Sequence, residues 1–143
     1  MYAVIDLEGT SGKSGTERII EVAIYLFDGE QIVDQFISLV NPDGTRIPPF
    51  VEKLTGIKNK DVVTAPKFHE VAKRIVEITK DAIIVAHNAP FDYRVLKEEF
   101  ARLGFDYSRV VMDTIPLAER FIPGLKSYGL ASICENLNLT NSR

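Results

Sequence analysis

The chain has no tryptophan, only one cysteine and no long apolar run. The lone Cys134 excludes an internal disulfide, and its place on an apolar helical pattern predicts a buried core thiol rather than a nucleophile. No apolar run approaches the ~18 residues of a membrane-spanning helix, so we expect a soluble protein without membrane contact. An acid at Asp6 comes too early for a secretory signal peptide, which makes the cytoplasm the expected location.

Basic charge is also scarce. The chain carries 17 Lys and Arg against 20 Asp and Glu, a net charge of −3 with an isoelectric point near 5.4. A protein that holds a long duplex through many phosphate contacts is usually basic, so any contact with nucleic acid should be short or metal-assisted. The 143 residues are enough for one domain with a core of its own.

The first part of the chain reads as three strands. Residues 2–8, 19–27 and 32–40 are rich in β-branched and aromatic side chains, and the turn Asp28–Gln31 joins the last two. Consecutive strands with such a turn pair as antiparallel neighbours. The following segment, residues 47–60, contains two prolines and a glycine, and predicts a loop with one helical turn around Phe50 to Leu54.

Helices and strands alternate after that loop. A helix begins near Pro66 and carries an apolar stripe, and Ala82–Ala86 reads as a strand that is buried on both faces and parallel to its neighbours. A helix from Pro90 to about Leu103, a strand at residues 110–112 and a last helix capped by Ser127 complete the pattern. We therefore predict an α/β fold with a mixed sheet of five strands, three antiparallel and two parallel, flanked by helices.

Three carboxylates stand at the ends of two of these strands. Asp6 and Glu8 share one face of the first strand because side chains alternate with a period of two, and Asp92 lies in the first turn of the helix after the fourth strand. Ligands bind beyond the carboxyl ends of parallel strands, so one hard-cation site could collect all three. Simpler interpretations stay open: a pairing of the first two acids with Lys13 or Arg18, and a helix-dipole role for Asp92.

The segment Gly9–Ser14 is similar to the end of a phosphate-binding P-loop. Leu7 stands where the first glycine of that motif is required, and a strand rather than a helix follows. We therefore expect Gly9, Gly12 and Gly15 to form a flexible hairpin tip beside the site.

Four segments together resemble the DEDDh group of 3′-to-5′ exonucleases, which includes the proofreading subunit of bacterial DNA polymerase III and ribonuclease T. They are Val4–Thr10, Leu54–Ile57, His87–Asp92 and Met112–Thr114. The resemblance implies a ribonuclease H-like fold. It also implies that Asp6, Glu8 and Asp92 hold two Mg²⁺ or Mn²⁺ ions, with Asp6 bridging both, for hydrolysis of the terminal phosphodiester to a 5′-mononucleotide.

The same resemblance implies a set of contacts with a single-stranded 3′ end. The backbone at Leu7 and the pair Gly9 and Thr10 would lie near the terminal sugar. Leu54 and Phe91 would wedge or stack the last bases. The remaining expected contacts, from the segment that ends at Asp92, are His87 and Asn88.

The sequence departs from the family in two ways. Gly9 stands where the family usually has threonine, and no histidine followed five residues later by aspartate occurs after residue 137, so the general base and the fourth acid are missing. Asp113 matches a family position that is not a ligand and suits a structural role. We expect an exonuclease domain of residues 1–143 that lacks the last catalytic helix and is weak or inactive alone.

Other readings remain. A non-catalytic module of the same fold would bind nucleic acid or a partner without hydrolysis. A DNA polymerase or a second nuclease domain, carried C-terminal to this one, are the expected protein partners. The sequence does not distinguish DNA from RNA.

Overall fold

A computed structural model describes residues 1–141 of the chain. Five strands and six helices lie within those residues. In chain order they are β1 (Tyr2–Gly9), β2 (Ile19–Phe27), β3 (Ile32–Leu39), α1 (Pro49–Thr55), α2 (Asn59–Val62), α3 (Phe68–Ile78), β4 (Ile83–Ala86), α4 (Ala89–Arg102), β5 (Val111–Asp113), α5 (Thr114–Phe121) and α6 (Leu130–Asn136).

The five strands form one sheet in the order β3-β2-β1-β4-β5. β1 pairs antiparallel with β2, and β2 pairs antiparallel with β3. β4 runs parallel to β1, and β5 runs parallel to β4. The predicted mixed sheet is therefore confirmed, with β1 at its centre and the carboxyl ends of β1 and β4 at one edge.

One face of the sheet is the main core. Ala3, Ile5 and Leu7 of β1 point into it, and α3 and α4 cover it, α3 over β2 and β3 and α4 over β1, β4 and β5. The apolar stripe of α3 is buried as the sequence predicts, from Phe68 to Ile78. This packing fixes α4, and with it the first-turn residue Asp92, against the central strand.

The opposite face is only partly covered within residues 1–141. Val4 is 42% exposed and Ile37 is 51% exposed on that face. The prediction that the fourth strand is buried on both faces is therefore wrong. Ile84 and Ala86 are buried on one face, but Val85 on the other face is only half-buried. A continuous apolar run does not reveal which of its faces has a covering layer.

The sequence also missed two helices and misplaced a third. Neither α2 nor α5 is predicted from the sequence, which indicates a loop through residue 60 and no element between the strand at 110–112 and the last helix. Pro116 lies in the first turn of α5, where proline removes only an N–H that has no helical partner. α6 begins at Leu130, so Ser127 does not cap it; the Ser127 hydroxyl accepts a hydrogen bond from Gly129 N–H. Asp113 has the structural role expected of it, since its carboxylate accepts from Ile115 N–H and caps α5.

Cys134 is only half-buried, which corrects the predicted core thiol. Its helix, α6, buries Ile133 alone, while Leu130 and Leu137 are 42% and 48% exposed. Within residues 1–141, the apolar stripe of α6 is therefore largely exposed. In residues 1–141, the helices are all too short or too polar to cross a bilayer.

Candidate active site

The two carboxylates of β1 lie on the same face of the sheet. Ala3, Ile5 and Leu7 are buried on the core side, so Val4, Asp6 and Glu8 point to the other side. Asp6 is exposed and Glu8 is half-buried. The period-two placement predicted for Asp6 and Glu8 is thus present, and Leu7 between them anchors the strand in the core.

The first turn of α4 brings the third acid to this strand. Asp92 is 4% exposed, and its Oδ1 accepts a hydrogen bond of 3.0 Å from the backbone N–H of Leu7. Leu7 lies between Asp6 and Glu8 in the chain, so this bond ties Asp92 to the stretch of β1 that carries the other two acids. Residues 85 positions apart are joined here by one buried contact.

The pKa of Asp92 is raised from 3.8 to about 7. Burial is the main cause, and the negative charges of Asp6 and, more weakly, Glu8 add to it, against the lowering effect of the Leu7 N–H bond. The carboxylate of Asp92 is therefore repelled by the charges of both other acids, although it belongs to a different element. A group of this kind gains from a nearby positive charge, and carboxylate oxygens are the ligands that hard divalent cations prefer.

No three His, Cys, Asp or Glu side chains within residues 1–141 stand in an arrangement that would hold a metal ion directly. The donor set nevertheless suits a hard cation, because all three side chains are carboxylates and Asp92 is unfavourable as an anion in its present surroundings.

A cavity of about 280 Å³ opens beside Glu8. Leu7, Glu8 and Gly9 form one side of it, and Leu54 of α1 and Phe91 of α4 contribute to its lining. These are five of the residues that the sequence analysis assigned to the site, and the structure brings them together at the carboxyl end of β1.

A neighbouring cavity of about 580 Å³ is lined by Glu8, Glu21, Leu54 and Thr55. Glu21 lies directly opposite Glu8 in the register of β1 and β2. Like charges that face each other across a strand pair are destabilising. The Glu21 carboxylate therefore adds negative charge on the side of the sheet that carries Glu8.

His87 lies on a different side of the acids. It lines a cavity of about 230 Å³ with Val4 and Asp6, and Leu130 of α6 also contributes to it. The Nδ1 atom of His87 is 2.9 Å from the hydroxyl oxygen of Thr114. His87 is thus near Asp6 but does not line the cavity beside Glu8.

Thr10 and Asn88 are not placed as contacts of either cavity. Thr10 is 1% exposed, its hydroxyl oxygen accepts from Arg18 N–H, and its own N–H donates to Arg18 C=O, so it is committed to the base of the hairpin tip. Asn88 is exposed at the start of α4 with a φ of 62°, and its N–H donates to Asp113. Both residues serve the turns that surround the site.

The glycine-rich tip of the β1–β2 hairpin is bonded to α4 instead of hanging free. Glu98 accepts from the Ser14 hydroxyl at 2.7 Å and from Gly15 N–H at 3.2 Å. Below the tip, Glu99 is 2% exposed and pairs with Arg18 at 2.6 Å. Since the tip leads into β2, no helix N-terminus follows it, and the P-loop interpretation has no structural basis.

Several lining residues were not predicted from the sequence, among them Phe50, Glu17 and Glu21. Phe50 and Glu17 line the cavity beside Glu8, and Glu21 lines the adjacent one. The position of Glu21 opposite Glu8 could have been found from the hairpin register, because strand pairing fixes which residues face each other. Phe50 and Glu17 carry no such signal, since their positions depend on tertiary packing.

Comparisons with known proteins identify relatives of this site. The family model described as Exonuclease (RNase_T) matches residues 3–143. The 3′-5′ exonuclease DinG of Staphylococcus epidermidis is 36% identical over 136 residues, which are 94% of this chain and 15% of that protein. The chain thus spans a small part of the length of this curated relative.

Solved structures of exonucleases are also similar to this chain. A complex of exonuclease X with 5′ overhanging duplex DNA has a TM-score of 0.78 at 27% identity, over 99% of this chain and 76% of that one. A product-bound exonuclease I has a TM-score of 0.86 at 18% identity, over 99% of this chain and 39% of that one, and shows the shared fold. The chain therefore belongs to the exonuclease family, of the DEDDh type, with a ribonuclease H-like fold.

Proposed function

We propose that this chain is the metal-dependent 3′-to-5′ exonuclease domain of a protein that removes 5′-mononucleotides from the 3′ ends of DNA or RNA. The observation that carries the proposal is the bond from Leu7 N–H to Asp92, which ties the third carboxylate to the stretch of β1 that carries Asp6 and Glu8, next to the cavity beside Glu8. The family relationship supports the same conclusion.

Asp6, Glu8 and Asp92 would hold the metal, either Mg²⁺ or Mn²⁺. A pair of divalent ions supplies an activated water and charge stabilisation for displacement at the terminal phosphodiester. The chain's own contribution is to hold the three carboxylates against one strand end, through the bond from Leu7 N–H to Asp92.

The cavity beside Glu8 would receive the terminal nucleotide. Its walls combine the backbone at Leu7 and Gly9 with the apolar side chains of Leu54 and Phe91. Apolar and aromatic surfaces bind any base by stacking, so these walls suit removal of nucleotides without sequence preference. His87, on the Asp6 side, and the Asn88 turn would border the same substrate end.

A general base and a fourth acid complete a site of this type. The chain contains two histidines: His69 is exposed on α3, on the far side of the core, and His87 is hydrogen-bonded to Thr114. We propose that the base and the fourth acid come from sequence that follows residue 143. A base near neutral pKa contributes ~10²- to 10⁴-fold to the rate, so the 143-residue chain alone should be weak.

The natural partner of the site would be a single-stranded 3′ end. The DinG relatives are several times longer than this chain, which supports a domain that works inside a larger polypeptide. A second nuclease domain or a DNA polymerase as partner stays a prediction, as does a cytoplasmic location.

The test is a nuclease assay on a 5′-labelled single-stranded oligonucleotide with Mn²⁺, comparing the 143-residue chain with the full natural polypeptide that contains it. Asp6→Asn should abolish the activity, and Asp106→Asn, a change to an exposed aspartate outside the cavities, should not. Products should shorten by single nucleotides from the 3′ end.

Two results would refute the proposal. One is a full polypeptide that degrades neither DNA nor RNA single strands. The other is an Asp6→Asn variant as active as its parent. Binding of the oligonucleotide without cleavage by the full polypeptide would support the non-catalytic module instead.

A further inference from the structure

Positive charge in this acidic chain is concentrated in one stretch. Residues 46–61 carry four cations against Glu52 and Asp61, a net charge of +2, whereas the whole chain carries −3 and the remainder therefore −5. The four cations are exposed and belong to α1, α2 and the residues that flank them. We call them the basic patch: Arg46, Lys53, Lys58 and Lys60. A negatively charged ligand is attracted to this part of the surface, although the protein as a whole repels it.

The folded backbone brings the two ends of the patch together. Asn59 stands between Lys58 and Lys60, and its side chain bonds both backbone groups of Ile47. The Ile47 N–H donates to Asn59 Oδ1 at 2.9 Å, and Asn59 Nδ2 donates to the Ile47 carbonyl at 3.2 Å. Arg46 precedes Ile47 and lines a cavity of about 260 Å³ together with Asn59. Cations from two separate segments therefore share one surface.

The charges of the patch are not neutralised within the protein. Among residues 1–141, no ion pair involves a patch residue; the paired cations are Arg18, Lys67, Lys73, Arg74, Arg94 and Arg102. Asp61, the acid next to Lys60 in the chain, accepts from the Lys58 N–H at 2.8 Å and so serves the first turn of α2. The patch cations are therefore available to a ligand of opposite charge.

The patch begins at the candidate active site. Phe50 of α1 lines the cavity beside Glu8, and Lys53 is its i+3 neighbour on the surface of the helix. Thr55, the last residue of α1, lines the adjacent cavity, and Lys58 follows it three residues later. A strand that leaves the site along α1 would therefore pass Lys53 and then the cations at α2.

The cavity beside Glu8 does not attract phosphates by its own charge. In the described part of the chain its lining contains no Lys or Arg, and Glu8 and Glu17 are its charged members. Phosphate contacts supply much of the affinity of proteins for nucleic acids. Apart from bound metal ions, the positive charge for such contacts must therefore come from outside this cavity.

Other ways out of the site offer less positive charge. β1, β2 and β3, which lie wholly within the described residues, contain no Lys or Arg, so the open face that they form has no cation of its own. At the hairpin tip, Arg94 is paired with Glu98, while Lys13 is exposed next to Gly12 of the cavity lining. Lys13 thus marks the alternative path.

We propose that the basic patch binds the phosphodiester backbone of the strand whose 3′ end lies in the cavity beside Glu8, so that the strand leaves the site along α1 and α2. This inference rests on the proposed function and adds to it a binding surface outside the catalytic residues. Contacts of this kind hold the backbone without reading bases, so the patch contributes affinity and position rather than sequence preference.

The test is binding of a 5′-labelled single-stranded oligonucleotide of about twelve nucleotides, a length within the usual range of such surfaces. It uses the full natural polypeptide with Ca²⁺ as the cation, and a denaturing gel confirms that the oligonucleotide stays intact. The Kd is measured over a range of salt concentrations, because the slope of log Kd against log salt reports the number of phosphates that the protein contacts.

The double variant Lys58→Gln/Lys60→Gln should reduce that slope by about 1.4, since each phosphate contact with a single strand contributes about 0.7. Its Kd should rise by about 1.5- to 5-fold for each charge removed, the range of an exposed ion pair. Addition of Arg46→Gln should reduce the slope further. Lys58→Arg/Lys60→Arg keeps both charges and should bind as the parent does.

Lys13→Gln/Lys80→Gln is the matched control, because it also removes two exposed lysines. Lys13 marks the path past the hairpin tip, and Lys80 precedes β4, at the edge of the sheet opposite the site. This variant should keep the slope and the Kd of the parent. A second control is a dinucleotide, which is too short to extend from the cavity to α2 and should bind the Lys58→Gln/Lys60→Gln variant as it binds the parent.

An unchanged slope in Lys58→Gln/Lys60→Gln would overturn the inference, and so would an equal change in Lys13→Gln/Lys80→Gln or an equal loss of dinucleotide binding. The proposed function fails separately: it stands if the polypeptide shows nuclease activity that depends on Asp6 while the patch variants bind as the parent does. A parent protein that binds no single strand at all overturns both.

Discussion

The carboxylate of Glu17 occupies the space that a Cβ atom on Gly9 would need. A Cβ built at Gly9 would overlap Glu17 Oε1 and lie 2.7 Å from Glu17 Cδ. Glu17 is 0% exposed, and its Oε1 accepts from Ser11 N–H while Oε2 accepts from the Ser11 hydroxyl. The glycine after the motif glutamate, where the family usually has threonine, is therefore matched to a buried acid eight positions later.

This match predicts a coupling between the two positions. Gly9→Ala should lower the free energy of unfolding by about 1–3 kcal/mol, because the added methyl displaces a buried, hydrogen-bonded carboxylate. Glu17→Ala should cost a similar amount, since Ser11 N–H loses its acceptor. The loss of stability in the double variant should be clearly smaller than the sum of the two single losses, because removal of the Glu17 carboxylate leaves room for the methyl group at position 9.

Urea unfolding of the four proteins measures this coupling. Gly129→Ala is the matched control, since Gly129 has a φ of −62° and its added Cβ would meet Ser127 Oγ at an ordinary 3.4 Å. Strict additivity of the two single changes would contradict the interpretation.

The raised pKa of Asp92 predicts a pH dependence of stability without added cations. Its folded-state pKa of about 7 lies above the ordinary 3.8, so between these values the folded protein binds more protons than the unfolded chain. The contribution of Asp92 to the free energy of unfolding therefore falls as pH rises from about 4 to about 7, and is constant above that range.

Asp92→Asn removes this titration and keeps an oxygen that can accept from Leu7 N–H. The stability of the variant relative to the parent should rise through the same pH range and then level off. Urea unfolding from pH 4 to pH 8 measures the difference, with Asp106→Asn as the comparison. A difference that does not change with pH would show that Asp92 is not perturbed.

Divalent cations should stabilise the chain. Mn²⁺ or Mg²⁺ bound by the three carboxylates of the folded state raises stability by about 2.7 kcal/mol at a hundredfold excess over the Kd. Binding must displace the proton of Asp92, so the rise in Tm should be larger at pH 8 than at pH 6.

Thermal melts with and without Mn²⁺ test this expectation. Asp6→Asn should reduce the shift, and Asp106→Asn should leave it as in the parent. An equal shift in all three proteins would mean that the cation binds elsewhere.

The buried Glu99 should matter more than a surface pair. It bonds Arg18 at 2.6 Å, which joins the hairpin to α4, and Arg102 of the same helix at 3.0 Å. Glu99→Ala should cost near the lower end of about 3–5 kcal/mol, because both arginines keep part of their solvent contact.

Glu77→Ala is the control. Glu77 faces Lys73 at 3.9 Å on the exposed side of α3, a pair worth about 0.5 kcal/mol or less. Urea unfolding of both variants gives the comparison, and similar losses in the two would contradict a structural role for Glu99.

Regular periodicity explains what the sequence could predict. The alternation in β1 placed Asp6 and Glu8 on one face, and the stripe of α3 located the covering helix, because in both cases one side of the element faces the core. The fold class follows from the order of such elements. Asp92 was predicted to lie near these acids because it is in the first turn of a helix that follows a parallel strand, where ligands bind in such sheets.

Contacts between distant segments explain what it could not predict. The pairing of Gly9 with Glu17 depends on the path of a hairpin tip that carries no periodic pattern. The helical turn predicted around Phe50 is present as the seven-residue α1, but a turn this short does not indicate which of its side chains face a cavity. Cys134 lies on an apolar stripe with helical spacing, but within residues 1–141 most of that stripe is exposed.

The alternation in β1 also places neighbouring residues of a single strand in two different environments. Positions 3, 5 and 7 support the core, whereas Asp6 and Glu8 project to the other side of the sheet. Replacement of either acid lowers the negative charge near Asp92 and leaves the core side chains of β1 unchanged. Under the proposed function, one substitution at Asp6 or Glu8 would therefore remove the activity and leave the core of β1 in place, so the identity of these two residues separates an active domain from a folded, inactive one.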